Sequence, residues 1–258
     1  MQTISELYSY REMIRSLVRK ELRGRYKGSI LGFLWTFINP LLQLMVYTVV
    51  FATILKSDIE KYYLFLFVAL IPWIFFSTSL TGGSSCIINQ KDMVKKIYFP
   101  RQVMPIAFVS TCFVNMLLCF IVIFIVIGFA GIGINVKALL CLPIVMFVQF
   151  ILALGVAMLS SAITVYFRDL EHILGIVAMA WQYLTPVMYS IDNVPDQYLP
   201  LFMTNPMTPI IQAYREILYY KQVPKLGTLI HALLLGIVVL IIGWLVFQRL
   251  QKHFAEEL

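Results

Sequence analysis

The chain has 258 residues, of which 60% are hydrophobic and 13% charged, with a formal net charge of +7. Soluble domains run nearer half apolar and a quarter charged, so this composition excludes an ordinary water-soluble enzyme and points to a membrane protein. The basic excess is spread over short loops and suits anionic lipid; no nucleic-acid partner is expected.

Residues 1–29 form a first segment, expected to be cytoplasmic. No apolar stretch precedes its charges, so no signal peptide is expected. Over 4–22, Ile4, Leu7, Ile14, Leu17, Val18 and Leu22 fall near one helical face, while Arg11, Arg15, Arg19 and Arg23 recur every four residues on another. Such a helix lies along a membrane interface. It serves either as a topology anchor or as a docking surface for a partner, and the pattern alone favours the anchor.

The remainder, 30–258, reads as one all-α membrane domain with six spans at about 30–55, 62–80, 103–130, 138–165, 173–190 and 227–248. About 20 apolar residues cross a bilayer as a helix, and lipid offers no partner for unpaired backbone groups. An even number of crossings puts both ends on one side. Basic residues on the side of the termini, including Lys91, Lys95, Lys96, Arg101, Arg168, Arg249 and Lys252, outnumber those on the other side. The positive-inside rule then places both termini in the cytoplasm.

Between spans two and three, a basic segment at about 84–102 interrupts the apolar runs, with Pro100 ending a short helix and Pro105 opening the next. Held between two spans, such a helix can transmit mechanical work; a charge run by itself is usually a solvated face. Gly82 and Gly83 read as loosening the end of span two. Arg168, Asp169 and Glu171 at the inner end of span four read as an ion-pair network fixing the turn into span five. Between spans five and six, at about 191–225, Pro195, Pro200, Pro206, Pro209 and Pro224 punctuate the chain. Thr208 before Pro209 reads as an N-cap for a helix to Tyr220, too short to cross and apolar on one face. The segment is expected to dip into the outer leaflet or lie upon it.

Catalytic and phosphate-binding motifs are missing. There is no G-x-x-x-x-G-K-[ST], G-x-G-x-x-G, H-E-x-x-H or G-x-S-x-G. Of the three histidines, His172 and His253 lie at segment ends, and His231 is expected to hydrogen-bond a neighbouring helix. The four cysteines form no C-x-x-C pair and read as free thiols, so no metal site is expected. Acidic residues keep to the loops, which argues against an ion-driven carrier and against a membrane-embedded enzyme. Any active transport needs work supplied by another protein.

Four stretches carry a resemblance: RKELRGRYKGSILGFLWTFINP (19–40), KKIYFPRQVMP (95–105), YFRDLEHILGIVAMAWQYLTPVMY (166–189) and NPMTPIIQAYREILY (205–219). In this order they resemble the membrane subunits of bacterial type-2 ATP-binding-cassette exporters, those of O-antigen, capsular polysaccharide and teichoic acid most closely. The resemblance implies a multi-pass permease of the bacterial cytoplasmic membrane. It would be a homodimer bound to two copies of a separate ATPase, moving a lipid-linked glycan. No cofactor is expected on this chain; ATP and magnesium belong to the partner. Gln90, Asp92, Lys95, Lys96, Phe99, Pro100 and Arg101 would make the coupling contact. Arg168, Asp169 and Pro186 fall in the family signature, and Pro206, Pro209, Tyr214 and Arg215 in an external gate.

Two further roles have competing readings. Arg19, Arg23, Arg25 and Lys27 suit guidance of a substrate diphosphate or plain anchoring to anionic lipid. Trp35, Phe37, Tyr47 and Phe51 suit a surface on which sugar rings slide, or an aromatic belt with interhelical packing. A type-2 exporter of a drug, peptide or other lipid is the alternative function, and an ion-coupled secondary carrier stands behind it.

Overall fold

The computed structural model describes residues 7–24 and 31–258. Helix α1 (Arg11–Gly24) is followed by α2 (Trp35–Thr48), which ends in a π-helical turn at Val49–Ile54. Next come α3 (Tyr62–Ser84), the short α4 (Lys91–Lys96) and α5 (Val103–Ala130). Then follow α6 (Leu142–Tyr166), α7 (Leu170–Tyr183), α8 (Leu199–Thr204), α9 (Met207–Leu218) and α10 (Leu226–Leu250). A four-residue helix, α11 (Phe254–Glu257), closes the chain. No strand occurs among the described residues.

Among the described residues, five helical stretches are long and apolar enough to cross a membrane: Gly32–Ile54, Tyr62–Ser84, Val103–Ala130, Val136–Tyr166 and Leu226–His253. The fifth expected span, 173–190, differs. Its helix α7 has 14 residues, a rise of about 21 Å against a hydrocarbon layer of roughly 30 Å. Thr185 and Pro186 stop it, since proline has no N–H to donate and disfavours helix in the residue before it. The chain nonetheless passes from one end of the bundle to the other. Tyr166 Oη donates to the carbonyl of Leu250 at one end, and Tyr62 Oη donates to that of Met188, 2.6 Å away, at the other.

Helix α3 is the hub, apolar all round and packed by α2, α5, α6, α7 and α9. That surround is what an all-apolar helix inside a bundle requires. The most extensive pairing joins α6 to α10, where Gly155 faces Gly243. A Cβ on Gly155 would lie 2.6 Å from the backbone nitrogen of Leu240, and one on Gly243 would strike the carbonyl oxygen of Gly155. Small residues let the two backbones touch, the usual solution where lipid supplies no driving force for helix association. Gly82 and Gly83 do the same rather than loosen a helix end: Cβ atoms there would sit 2.6 Å from the Phe108 ring and 2.9 Å from Ala157.

Two apolar clusters result. The larger fills the bundle around α3. The smaller sits at one end and gathers Leu17 of α1, Val94, Phe99, Val165, Phe247 and Phe254. Helix α1 keeps Arg11, Arg15, Arg19 and Arg23 exposed and buries Leu17, as its amphipathic pattern requires; Ile4 lies outside the described residues.

Gly243→Ala and Gly155→Ala are expected to force α6 and α10 apart, at a cost of about 1–3 kcal/mol or more. Gly128→Ala, with nothing within 4 Å, is the neutral control. Thermal unfolding of the detergent-solubilised protein checks this; equal midpoints for all three would contradict the backbone contact.

Candidate functional site

Two places in the fold break the helical regularity and bring polar groups together. The first is the elbow between α3 and α5. A 3-10 turn at Ile88–Gln90 leads into α4, which stops at Ile97, a residue with extended backbone (φ −126°, ψ 133°). The helix is shorter than the sequence suggests because irregular backbone flanks it on both sides. Val94 and Phe99 point inward to the smaller cluster, while Lys91, Asp92, Lys95 and Lys96 are exposed. Tyr98 is 91% exposed and Ile97 56%. A groove of about 590 Å³ runs between this elbow and the end of α10, lined on the far side by Gln248, Gln251 and Lys252.

The expected contact set therefore splits. Asp92, Lys95 and Lys96 face outward, and Pro100 and Arg101 line the groove. Phe99 is buried and Gln90 lines a small cavity beneath α1 beside Leu17 and Glu21, its Oε1 buried without a hydrogen bond. Ile97 and Tyr98, which sequence reasoning passed over, are the exposed apolar tip. Arg101 Nη1 donates to the carbonyl of Gln251, and its guanidinium lies 5.9 Å from the Phe254 ring centroid. The signal for Phe254 is faint in sequence, a single aromatic in the polar tail QKHFAEEL.

Cys86, beside the elbow, is buried, and burial pushes its thiol up. It stays protonated and unreactive. Arg168 and Asp169 are both exposed and do not pair with each other; the ion pairs among the described residues join Arg11 and Arg15 to Glu12. The expected network fails because neighbouring residues at a helix start point in different directions.

The second place is the opposite end. After α7, residues 185–189 leave the helix, and their carbonyls need donors. Arg215 of α9 supplies them: Nη1 donates to Pro186 at 2.6 Å and to Tyr189 at 3.1 Å, Nη2 to Val187 at 2.6 Å and Nε to Phe65 at 3.4 Å. The guanidinium also lies 3.5 Å from the Phe65 ring centroid, a desolvated cation–π contact. Arg215 is only 3% exposed, and no ion pair within 4 Å reaches it among the described residues. Burial holds the nearby Tyr219 phenol above its ordinary value.

Asn205 does parallel work below. Its Nδ2 donates to the carbonyl of Leu184 at 3.2 Å and to Thr185 Oγ1 at 2.8 Å, and its Oδ1 accepts from Trp181 Nε1 and from the Met207 backbone. Asn205, not Thr208, thus caps α9, which starts two residues before Pro209; Thr208 Oγ1 is buried without a partner. Trp181 touches Phe76 (ring centroids 5.0 Å apart), and Phe76 lies 14 residues along α3 from Tyr62, a depth of about 21 Å. The chain therefore turns at that depth and α9 climbs back, with Tyr219 Oη donating to the carbonyl of Glu60. Tyr214, fully buried, donates to Gln149 Oε1 at 2.8 Å, and Gln149 Nε2 donates to the Pro72 carbonyl at 2.7 Å. Gln149 was not singled out by the sequence; a lone glutamine in an apolar run is the only signal. His231 Nε2 lies 3.0 Å from the carbonyl of Met203, the expected contact to a neighbouring helix.

The remaining residues separate. Phe37, Tyr47 and Phe51 pack against the larger cluster, whereas Trp35 lines a cleft of about 390 Å³ between α2, α3 and α5. Within one chain the four do not form a single surface. Arg19 and Arg23 are exposed on α1; Arg25 and Lys27 lie outside the described residues. The described residues hold no cluster of three or more metal-ligating side chains.

Comparison with known proteins adds a family and relatives. The model of the family described as "ABC-2 type transporter" matches residues 12–219. An O-antigen export system permease protein from Myxococcus xanthus is 35% identical, over 100% of both chains. One of the same description from Klebsiella pneumoniae is 30% identical over 96% of this chain and 95% of its own. A polysialic acid transport protein from Escherichia coli is 20% identical over 93% of each.

Arg215→Met, close in length but without donors, is expected to lose on the order of 3 kcal/mol, because several buried carbonyls are left unpaired. Tyr214→Phe, which removes one hydroxyl, is expected to lose about 1 kcal/mol. Unfolding of the purified protein in detergent measures both; a smaller loss for Arg215→Met than for Tyr214→Phe would show that the carbonyl cage contributes little.

Proposed function

This chain belongs to the ABC-2 type transporter family, and from that premise we propose how it works as the permease subunit of a polysaccharide export system, the role its relatives' names give them. It is a multi-pass protein of the bacterial inner membrane. The substrate is a glycan carried on a lipid, in keeping with the O-antigen and polysialic acid named for the relatives. The work comes from a separate ATPase, and a second copy of this chain completes the passage. Both termini and the elbow face the cytoplasm, in line with the basic residues gathered there.

The observation that carries this reading is the construction of the elbow. Its tip presents Lys95, Lys96, Ile97 and Tyr98 outward, while Val94 and Phe99 root it in the cluster that joins α1, α5, α6 and α10. An exposed tip on a rigid root lets a partner pull on the bundle without entering it. The five long spans contain no Asp or Glu, which leaves an ion-coupled carrier without a carboxylate to load and release its ion. At the opposite end, α8, α9 and the strap 185–189 form the outer gate, held by Arg215 and Asn205.

Tyr98→Asp places a charge on the apolar tip and is expected to abolish copurification of the ATPase, with this chain still at its normal level in membranes. Unchanged recovery of the ATPase would end the docking role of the tip. Separately, Tyr98→Cys, in a chain whose partly exposed Cys141 is replaced by serine, is expected to react with a membrane-impermeant maleimide in inverted vesicles and not in intact spheroplasts, since the other three cysteines are buried. Labelling from outside would reverse the orientation.

A further inference from the structure

The elbow does not end at Pro100. Arg101, which lines the groove two residues before α5, is held from outside its own segment, by the C-terminal turn of the chain. Its guanidinium reaches the carbonyl of Gln251, the residue that closes α10, which also accepts the Phe254 backbone N–H, and the negative end of the helix dipole there attracts a cation. It lies over Phe254, which is fully buried. Phe254 in turn packs on Phe247 of α10 (ring centroids 5.5 Å apart) and on Tyr166 at the end of α6 (6.2 Å). Tyr166 closes the loop by donating to the Leu250 carbonyl at 2.8 Å.

We propose that the C-terminal turn 251–257 is a working part of the coupling device, with Phe254 and Arg101 as positioning residues that deliver movement of the elbow to the α6–α10 pair. This inference rests on the reading of 91–101 as the coupling segment. The reason is mechanical. The last helical bond runs from Ile97 N–H to the carbonyl of Met93, and Tyr98 and Phe99 lie outside any helix, so a push on Tyr98 bends the segment unless its far side is braced. α5 receives the push directly through the chain. α6 and α10 receive it through the Arg101–Gln251 bond and the Phe254 ring, and the Gly155–Gly243 contact makes those two helices move together. Movement at the elbow thereby reaches the helix pair on the other side of the bundle hub.

The test uses the full complex of this chain with its ATPase in proteoliposomes, and reads ATP hydrolysed per glycan moved alongside ATPase copurification. Phe254→Ala is expected to keep the ATPase bound and hydrolysing while glycan movement per ATP falls about fivefold or more, the lower end of coupling between linked sites. Arg101→Lys, which retains the charge but not the planar fork, is expected to fall in the same direction, and it decides the matter if Phe254→Ala does not accumulate. Lys137→Gln, exposed between α5 and α6 at the opposite end of the bundle, is the control at the wild-type ratio. An unchanged ratio in both variants overturns the inference and leaves the coupling segment intact as a docking site. Loss of ATPase binding in Phe254→Ala at normal membrane level would overturn it also, since the turn would then be a docking contact rather than a brace. Failure of the underlying reading shows elsewhere, as ATPase binding that survives Tyr98→Asp.

Discussion

A carbonyl that leaves a helix inside hydrocarbon must find its donor in the protein, because no water is there to supply one. Much of the architecture at one end of this bundle follows from that demand. Pro186 breaks α7, the strap 185–189 exposes its acceptors, and Arg215 and Asn205 answer them. Both donors sit on the returning segment, so the break and the re-entry need each other.

The other end is governed by packing. A compact cluster ties the interfacial helix α1, the elbow and the ends of α6 and α10 into one block. From there α3 carries contacts along the whole bundle, and Tyr214 links α9 to α6 through Gln149 and the Pro72 carbonyl. A displacement at the elbow thus meets a continuous set of contacts as far as α9.

How much of this was legible in the sequence depended on which force decided each feature. The long spans were visible because bulk apolarity decides them, and the amphipathic face of α1 because a period of 3.6 decides it. The fifth span was legible only in part: counting apolar residues over 173–190 registers membrane depth but not the Thr185-Pro186 break. Gly82 and Gly83 were read by their local flexibility, while the fold uses their lack of a side chain against Phe108 and Ala157. Arg168 and Asp169 were paired by adjacency, which a helix start does not respect. Phe254 and Gln149 stayed hidden because their partners lie far away in the chain, and only the fold brings them together. Arg215 was singled out by its place in a loop motif, yet its carbonyl partners at 186–189 were not foreseeable from spacing.

The cage around Arg215 contains backbone oxygens and no acid group. Backbone oxygens do not take up protons at ordinary acidity. Buried as it is, the cage also lies beyond the reach of dissolved salt. A latch of this kind has nothing for acid to neutralise, so sour surroundings leave its grip as it was.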